Sequence, residues 1–554
     1  MYHQMLEIIR HALSRYVPNG EVELVEGGEH ADLASTIAFR LARIEKKAPV
    51  LIAQDIAGQI GESLQRYDIM VEAKGPYLNF HFGRSYLRGA VEAALAPGYG
   101  SLPAQEARIC IEHTSANPNG PLHVGHIRNS IIGDTLARAY QKAGYRQEVQ
   151  YYLNDMGRQI AIVTWGADHL GIMQREGEKG DHYIARVYIE ANRAIAQDSS
   201  ILPDIDNRMG RIEQGDEEMT FAFRNAVDTC VAGIRETLSS LNIVHDRYVR
   251  ESDFVRDGSM EEILARARTL PQCIEDGMLA LDLSDCGFEK NYVLRRKDGT
   301  SVYATRDLAY HRWKGKAFDL LIDVLGADHK LIGGQLICTL RLLGEKPPEI
   351  VYFEFVSLPE GSMSTRAGKF VSADELIEEV TKRAYDEVES RRPDLEEEEK
   401  WKIACSVAVG AIRYDIVRVS PDKSTVFDWK EALNFERQSA PYIQYAHARA
   451  CSILEKAGEF VHAYQIESEH EIALAKQIAL FPRIIERVVE ERRPHHLSIY
   501  ARELADLFNT FYRYEPVLKS EGETRNSRLT LVAATQNTLK EALETLGIDA
   551  LRSM

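Results

Sequence analysis

Residues 108 to 153 constrain the fold of this chain more than any other segment, because a strand pattern, a loop, a helical pattern and a second strand pattern follow one another there. Arg108 to His113 is a short apolar strand candidate, and residues 149 to 153 alternate as a second. The helical pattern between them stops at Gly144, as helices commonly do. Parallel strands joined by such a crossover place ligands at the carboxyl edge of their sheet. The chain is therefore predicted to contain an α/β domain built on a parallel sheet.

Both ends of the chain show other patterns. Residues 1–100 contain two helical patterns and the strand-like Gly75 to Phe82, and they close with the Pro- and Gly-dense segment Ala96 to Pro103. Such a segment continues neither a helix nor a strand, so this region is predicted to be a small α+β domain followed by a linker. Residues 401–554 have helical patterns almost throughout, which predicts an all-α C-terminal domain.

The α/β domain is predicted to span residues 101–375 and to be interrupted. The stretch from about residue 160 to 290 is rich in charge and in helix formers, which indicates a mostly helical insertion. Strand patterns resume only after it, at Thr300 to Ala304, Phe318 to Leu325 and Ile350 to Leu358. An S-x-x-E capping box at Ser372 then opens a helix, and residues 376–400 are expected to connect to the helical domain.

Charge and cysteine usage limit the class of protein and its environment. The formal net charge is −17, which argues against a generally basic nucleic-acid coat protein, and any polyanion must meet a local basic patch. Seven scattered cysteines without a CxxC pair argue against a disulfide framework or a structural zinc site, so reduced thiols are expected. The N-terminus does not resemble a signal peptide, and the longest weakly polar run, Ile403 to Ile412, falls short of the ~20 residues that cross a bilayer. A cytoplasmic protein without membrane contact is predicted.

The densest chemical signal is SANPNGPLHVGHIRNSIIGD, from Ser115 to Asp134, between the first strand and its helix. Unpaired N–H groups and the helix dipole favour an anion at such a helix N-terminus. His123 and His126 lie one turn apart there, and imidazoles beside a phosphate can stabilise charge that develops at phosphorus. Gly125 between them lets a flat ring approach the backbone. A zinc pair would more usually need an i, i+4 spacing and a third ligand, whereas a surface histidine pair that caps the helix is an equal alternative for an isolated motif.

A second signal, GSMSTRAGKF, spans Gly361 to Phe370 directly after the last strand pattern. Glycines, small hydroxyl residues and two cations suit a mobile phosphate-binding loop, although an ordinary polar loop would be favoured if this motif stood alone. H-x-G-H after the first strand and M-S-T-R after the last strand of one sheet together carry more weight than either motif does by itself.

That pairing resembles the HIGH and KMSKS motifs of class I aminoacyl-tRNA synthetases, and the flanking residues resemble the arginyl-tRNA synthetases closely. These enzymes carry S-x-N, H-x-G-H and R-x-x-x-x-G-D in that order, and here the three motifs stand between Ser115 and Asp134. The resemblance continues through HADLASTIAFRLA near residue 30, YYLNDMGRQI at 151–160, VYATRDLAYH at 302–311, VLGADH at 324–329, FDWKEALNFERQSAPYIQYAHARACSIL at 427–454 and the closing LGIDALRSM. It implies a Rossmann-type parallel-sheet catalytic domain with an insertion, between the small α+β domain and the helical domain.

The resemblance also implies the reaction. Arginine attacks the α-phosphate of ATP, pyrophosphate leaves, and the arginyl group passes to the 3′ end of tRNA(Arg). ATP enters as a substrate with Mg²⁺, and neither a tightly bound cofactor nor a metal held by the protein is expected. The implied catalytic residues are His123, His126, Arg366 and Lys369. The implied ATP-binding residues are Pro118, Gly125, Asn129, Gly326, Asp328, His329, Met363 and Ser364, of which His329 can equally be a helix cap.

The amino-acid pocket implied by the resemblance consists of Glu112, Asn117, Tyr303, Asp307 and Gln335. Acidic residues suit the planar guanidinium group of arginine, because a carboxylate can accept two of its five N–H donors at once. Asn117 and Gln335 match positions that hold the α-amino and carboxylate groups of the substrate. The alternative for Asp307 is a local ion pair with the neighbouring Arg306 on a helix.

The outer domains are implied to bind tRNA. The N-terminal domain would contact the elbow of the tRNA, and the helical domain would read the anticodon. Four residues there can stack on or clamp unpaired bases: Phe435, Tyr442, Tyr445 and Arg449. For any single aromatic residue, packing into the helical core is the favoured alternative, since aromatics at helical spacing usually face a core. The partners expected are tRNA(Arg), arginine and ATP, and the chain is expected to be a monomer.

One departure from the family concerns the source of the catalytic cation. The second lysine of KMSKS aligns with Thr365, and Ala367 replaces the lysine of the commoner form MSTRKGN. Arg366 keeps the family position and offers a planar fork to phosphate, so it is favoured over Lys369, with Arg158 as an outside candidate.

Two other functions are weighed against arginine activation. A catalytically silent RNA-binding paralogue would keep the fold without the chemistry; the altered loop favours it weakly, and the intact H-x-G-H motif argues against it. A synthetase for another amino acid, such as cysteine, is disfavoured because no cluster of metal ligands is evident in the sequence.

Overall fold

The computed structural model describes residues 2–17, 22–28, 31–297, 302–357, 371–436 and 438–554. Its N-terminal part is a small α+β unit. The elements are α1 (Tyr2–Ser14), β1 (Val25–Glu26), β2 (Leu33–Ser35), α2 (Ile37–Glu45), α3 (Pro49–Gln65), β3 (Ile69–Lys74), β4 (Tyr77–Phe82) and α4 (Arg84–Ala93). The strands pair antiparallel in the order β1-β2-β4-β3. Leu78 and Phe80 on β4 are fully buried, so the inner face of this sheet forms part of the core.

The middle of the chain forms the parallel-sheet domain and its insertion. Its elements are β5 (Arg108–Glu112), α5 (Val124–Lys142), β6 (Arg146–Leu153), α6 (Arg158–His169), α7 (Gly180–Gln197), α8 (Leu202–Glu213), α9 (Glu217–Ser240), β7 (Arg247–Arg250), α10 (Glu251–Arg256), α11 (Ser259–Ala267), β8 (Cys273–Glu275), β9 (Leu279–Leu281), β10 (Tyr292–Arg295), α12 (Tyr303–Ala317), β11 (Leu320–Gly326), α13 (Lys330–Leu342), β12 (Glu349–Phe353), β13 (Val356–Ser357) and α14 (Ala373–Arg391).

Five parallel strands form the central sheet in the order β12-β11-β5-β6-β7. The chain runs outward from β5 in one direction through β6 and β7, and then returns to the other side of β5 with β11 and β12. In such sheets the strand order reverses at one point, and the loops there open a crevice that binds ligands. Here the reversal lies between β5 and β11. Helix α5 ends just before Gly144, whose φ of 85° and whose close approach to the Pro103 carbonyl leave no room for a side chain.

The insertion is mostly helical, as predicted, but it also supplies strands. Helices α6 to α9 pack together, β7 adds the edge of the central sheet, and β8, β9 and β10 form a small antiparallel sheet. The predicted strand at Thr300 to Ala304 is wrong at its end, because Tyr303 and Ala304 begin helix α12; Thr300 itself lies outside the described residues. Tyr303 and Ala304 have the apolar character of a strand because they lie beside a cavity and a core.

The last part of the chain is helical. Its elements are α15 (Glu397–Val417), β14 (Thr425–Val426), α16 (Trp429–Ala432), α17 (Ala440–Ala457), α18 (Glu469–Glu491), α19 (His495–Tyr514) and α20 (Gly522–Thr545). The short strand β14 pairs in parallel with β13, so the helical part is joined to the segment that follows the central sheet. No helix within the described ranges combines the length and the apolar character that crossing a membrane requires.

The Pro- and Gly-dense segment after α4 packs on the helical domain instead of standing free. The Tyr99 hydroxyl donates to the Ile478 carbonyl at 3.0 Å, and the Gly98 N–H donates to Glu541 at 2.7 Å. Asn537 donates to the carbonyl of Ala94 at 2.9 Å. This segment therefore fixes the N-terminal part against helices α18 and α20.

One pair of cysteines differs from the expectation of reduced thiols. Cys286 and Cys338, which are 52 residues apart, form a disulfide, because the insertion brings its loop after β9 against helix α13. The other five cysteines are free thiols, and Cys110 and Cys230 among them are buried. The sequence could not show this pair, since neither its spacing nor its context is a disulfide motif.

Candidate active site

A cavity of about 950 Å³ opens at the carboxyl ends of β5 and β11. Its wall is formed by the loop after β5, the first turn of α5, the start of α12, the loop after β11 and the segment around β13. This is the point where the strand order of the sheet reverses. The backbone is strained on one side of it, because Thr114 and Ser115 have positive φ values of 69° and 37°.

His123 and His126 line one end of the cavity and are built into the start of α5. His123 is the N-cap residue, and its Nδ1 accepts hydrogen bonds from the backbone N–H groups of Gly125 at 3.1 Å and His126 at 3.4 Å. His126 Nδ1 in turn accepts from the backbone N–H of His123 at 3.4 Å. The two rings stack with centroids 3.6 Å apart. Histidines therefore form the reciprocal capping box that serine and glutamate usually provide.

This capping fixes the chemistry of both rings. A nitrogen that accepts a hydrogen bond carries no proton, so each neutral ring holds its proton on Nε2. Burial lowers the pKa of His123, and burial together with the neighbouring His123 lowers the pKa of His126 to about 3. Both imidazoles are thus neutral N–H donors at neutral pH. A Cβ at Gly125 would lie 3.0 Å from the His123 ring, so this glycine accommodates that ring.

The other end of the cavity is acidic. Glu112 at the end of β5, Asp307 in α12 and Asp323 in β11 line it, together with Tyr303 and Asn117. Tyr303 and Asn117 are exposed to the cavity, whereas Asp323 is only 2% exposed. Four of the five predicted arginine-binding residues therefore line one cavity with the two histidines.

The alternative for Asp307 is not favoured by the geometry. Asp307 Oδ1 lies 3.0 Å from Nδ1 of His311, one turn along the helix. The guanidinium of Arg306 lies 3.1 Å from Glu213 and 3.5 Å from Glu251. The carboxylate of Asp307 thus turns toward the cavity and the acidic end, while Arg306 contacts the insertion.

Sequence reasoning missed four residues at the acidic end, of which Asp323 has been described above. His311 and Lys314 follow Asp307 at i+4 and i+7 on one face of α12, and they contact Asp323 with distances of 2.7 Å and 2.8 Å. Asn154 after β6 also lines the cavity, and its buried Oδ1 has no hydrogen-bond partner among the described residues. The helical spacing and a lone aspartate inside the apolar strand LLIDVLG were the available signals.

The remaining predicted residues differ in their placement. Gly326, Asp328 and His329 line the cavity at the end of β11 and just after it, and Gly125 and Asn129 line it from helix α5. Asn129 uses its amide internally, however, since it accepts from the Thr114 N–H at 2.6 Å and donates to the Val324 carbonyl at 2.8 Å. Met363, Ser364, Arg366 and Lys369 lie outside the described residues.

Three predicted residues are not among those that line the cavity. Pro118 is buried beside it, and Gln335 is 7% exposed and donates to the Lys290 carbonyl at 3.5 Å. Arg158, the outside candidate for the catalytic cation, lies 2.6 Å from Asp206 at the surface of the insertion.

The four predicted tRNA-binding residues differ in how they are placed in the helical domain. Tyr445 is 42% exposed, and the Arg449 guanidinium lies 4.8 Å from its ring centroid. Tyr512, which sequence reasoning did not single out, is 40% exposed, and its ring centroid lies 5.7 Å from the same guanidinium. Tyr442 donates from its hydroxyl to Asp506, and the guanidinium of Arg391 at the end of α14 lies 4.5 Å from the ring centroid of Phe435, so both have partners inside the fold.

Three protein-family models match successive parts of the chain. Residues 3–82 match the arginyl tRNA synthetase N-terminal domain, residues 92–429 match the catalytic domain of class I tRNA synthetases (R), and residues 443–554 match the DALR anticodon binding domain. The chain belongs to the arginyl-tRNA synthetase family. It is a class I arginine–tRNA ligase, which activates arginine with ATP and charges tRNA.

Two curated relatives of this synthetase are arginine–tRNA ligases along their full length. That of Methanoregula boonei is 64% identical over 550 residues, with 99% of each chain covered. That of Methanosphaerula palustris is 61% identical over 559 residues, with 100% of each covered. Among solved structures, the arginyl-tRNA synthetase of Thermus thermophilus superposes with a TM-score of 0.87 at 30% identity, with both chains covered completely. The enzyme of Plasmodium falciparum shares the fold, with a TM-score of 0.82 at 18% identity.

Proposed function

We propose that the cavity between β5 and β11 is where this synthetase forms arginyl-adenylate. Arginine would place its guanidinium at the acidic end, against Glu112 and Asp307, with Tyr303 beside it. Asn117 would hold the α-amino group. The single observation that carries the proposal is the polarity of the cavity: buried carboxylates line one end and two neutral imidazoles line the other.

The phosphates of ATP would lie at the start of α5. The Nε2–H groups of His123 and His126 would donate to α-phosphate oxygens, where negative charge develops as the arginine carboxylate attacks in line. Gly326, Asp328 and His329 would contact the nucleotide from the other side. Mg²⁺ would enter with ATP and neutralise pyrophosphate. Catalysis would rest on positioning and on charge stabilisation, without a covalent enzyme intermediate.

The missing cation of the second motif is proposed to come from Arg366 or Lys369, with Arg366 favoured by its planar fork. Arg158 is less suitable, because its guanidinium is paired with Asp206 on the insertion.

Transfer to tRNA would involve the outer domains, residues 1–100 and 401–554. The exposed surface around Tyr445 and Arg449 would meet unpaired bases, since a guanidinium and aromatic faces together suit stacking. We further propose a cytoplasmic monomer that takes tRNA(Arg).

Arginine-dependent exchange of pyrophosphate into ATP, with and without tRNA, tests the proposal together with charging assays. We expect exchange that requires arginine, and charging of tRNA by arginine alone. Preferential charging by lysine or cysteine would refute the assignment of the acidic end. Binding of tRNA without any exchange or charging would instead indicate a silent RNA-binding protein.

A further inference from the structure

Four buried ionisable groups and the partly buried Asp307 meet at the acidic end of the cavity. Lys314 Nζ donates to Glu112 at 2.7 Å and to Asp323 at 2.8 Å, and its side chain is fully buried. His311 lies 2.7 Å from Asp323 through Nε2 and 3.0 Å from Asp307 through Nδ1. Nδ1 also lies 2.8 Å from the backbone carbonyl of Asp307, so both ring nitrogens of His311 face only acceptors, an arrangement that requires the doubly protonated ring.

The hydrogen bonds also indicate the state of Glu112. One carboxylate oxygen accepts from Lys314, and the other accepts from the Ser115 hydroxyl at 3.1 Å. Both oxygens act as acceptors, as an ionised carboxylate does. Three carboxylates against two cations leave one net negative charge at this end. That charge matches one guanidinium group.

We propose that Lys314 is a positioning residue that sets the charge of the arginine pocket, because it holds Glu112 as an ionised acceptor beside the place where the guanidinium binds. The inference rests on the proposed function of the cavity. Lys314 does not contact the substrate in this scheme and acts only through Glu112. A pocket charge of minus one favours a monocation and disfavours a neutral substrate of the same shape.

The surroundings of Lys314 support this role. From β5 it is faced by Glu112 and Cys110, from β11 by Asp323, and within α12 by His311 and the ring of Tyr310, whose centroid is 4.2 Å from Nζ. Burial opposes its charge, but Asp323 and Glu112 raise the Lys314 pKa above its ordinary value. Burial raises the pKa of Glu112, and Lys314 acts against that shift.

A metal ion is a competing explanation for this cluster. Glu112, His311 and Asp323 place one ligand atom each within 4.8 Å of one another, which a divalent cation could use. The ammonium group of Lys314 already lies within hydrogen-bond distance of two of these three residues. A cation is therefore supplied by the chain itself, and a divalent ion beside it would be repelled.

The test compares Lys314→Met with Lys314→Met/Glu112→Gln, and uses Lys316→Met, an exposed lysine on the same helix, as the matched control. Without Lys314, the charge that offsets the burial of Glu112 is gone, so Glu112 should bind a proton more readily and then stop accepting from the guanidinium. Arginine KM of Lys314→Met should therefore fall as the pH rises, by at most about tenfold per pH unit, because a single proton is lost from Glu112. The double variant should have a raised but pH-independent arginine KM. ATP KM should stay near that of the unmodified enzyme in all variants.

Proton linkage measures the same charge in the unmodified enzyme and does not depend on a variant that folds. Calorimetry of arginine binding in buffers of different ionisation enthalpy should show no proton exchanged near pH 7.5, and release of up to one proton in Lys314→Met. Release of a proton by the unmodified enzyme would overturn the inference, as would a Lys314→Met enzyme whose arginine KM has the unchanged pH profile. If arginine neither binds nor supports exchange in the unmodified enzyme, the proposed function itself fails, and not this inference alone.

Discussion

Replacement of His123 separates two roles that one ring combines in this structure. Its Nδ1 caps helix α5, with bonds of 3.1 Å and 3.4 Å to the second and third N–H groups of the helix, while Nε2 carries the proton proposed to bind phosphate. Asparagine is among the best N-cap residues, and its side-chain oxygen can accept at the position of Nδ1. It cannot donate at the position of Nε2. His123→Asn therefore keeps the cap and removes the donor, whereas His123→Ala removes both.

The two roles have different magnitudes in different assays. Loss of one preorganised donor to a developing charge typically costs about 100- to 1,000-fold in kcat, or about 2.7–4 kcal/mol of transition-state stabilisation. Loss of a helix N-cap costs about 0.5–2 kcal/mol of folding stability. We expect both variants to form adenylate at least about 100-fold more slowly than the unmodified enzyme in single turnovers, with little change in ATP KM. Only His123→Ala should lose stability in urea unfolding.

His169→Asn, on an exposed helix end away from the cavity, is the matched control and should change neither quantity. Adenylate formation by His123→Asn at the normal rate would refute the role of Nε2. Equal destabilisation of the two variants would refute the role of Nδ1 as the helix cap.

Because the pKa of His126 is lowered to about 3, the histidine pair should also leave the rate of adenylate formation unchanged when the pH falls from 7 to 6. A change of that rate in this pH range would have to come from another group.

Three further outcomes are expected, two from the proposed site and one from Asp374, which is not among the residues that line the cavity. Asp307→Asn should raise arginine KM at least about tenfold with ATP KM near normal, because a charge-assisted contact of about 1.5–3 kcal/mol is lost; steady-state kinetics with both substrates measures this. Arg366→Ala should slow single-turnover adenylate formation more than Lys369→Ala, and normal rates in both would place the catalytic cation elsewhere. Burial alone would raise the pKa of Asp374, but the hydrogen bond from His182 helps lower this pKa from 3.8 to about 2. The ionised Asp374 therefore stabilises the fold above pH 4, and this stabilisation is lost as the pH falls toward 2. Unfolding of Asp374→Asn across that range should differ from that of the unmodified enzyme only at the higher pH.

Local patterns predicted the centre of the fold well. The strand–helix–strand unit that starts at β5 is visible in the sequence because its strands are largely buried and apolar residues recur at helical spacing between them. The edge strand Arg247–Arg250 was missed for the opposite reason: it has four residues, two of them arginines, and only its position beside β6 makes it a strand. Tyr303 was predicted to lie in a strand, because a residue that lines a cavity can have the same apolar neighbours in the sequence as a strand residue has.

The site was predictable where its residues are adjacent in the chain. His123 and His126 lie in one turn, and their motif indicated a phosphate site once it was considered together with the second motif. Lys314 was not found, because its partners come from β5 and β11, and a lysine in a charged helix ordinarily extends into solvent. Gln335 is not among the residues that line the cavity, and its role at the substrate carboxylate stays a prediction.

The first motif extends beyond the cavity, and its later residues connect domains instead of binding substrate. The guanidinium of Arg128 is fully buried and donates to four carbonyls, at residues 354–355 before the second motif and at residues 420–423 in the helical domain. One turn and a half further, Asp134 accepts from Arg413, a buried arginine of α15. Burial lowers the Arg128 pKa to about 10, which still leaves the group charged at neutral pH. Only a guanidinium has enough donors for four carbonyls, so helix α5 holds the stacked imidazoles at its start and contacts the helical domain along its side.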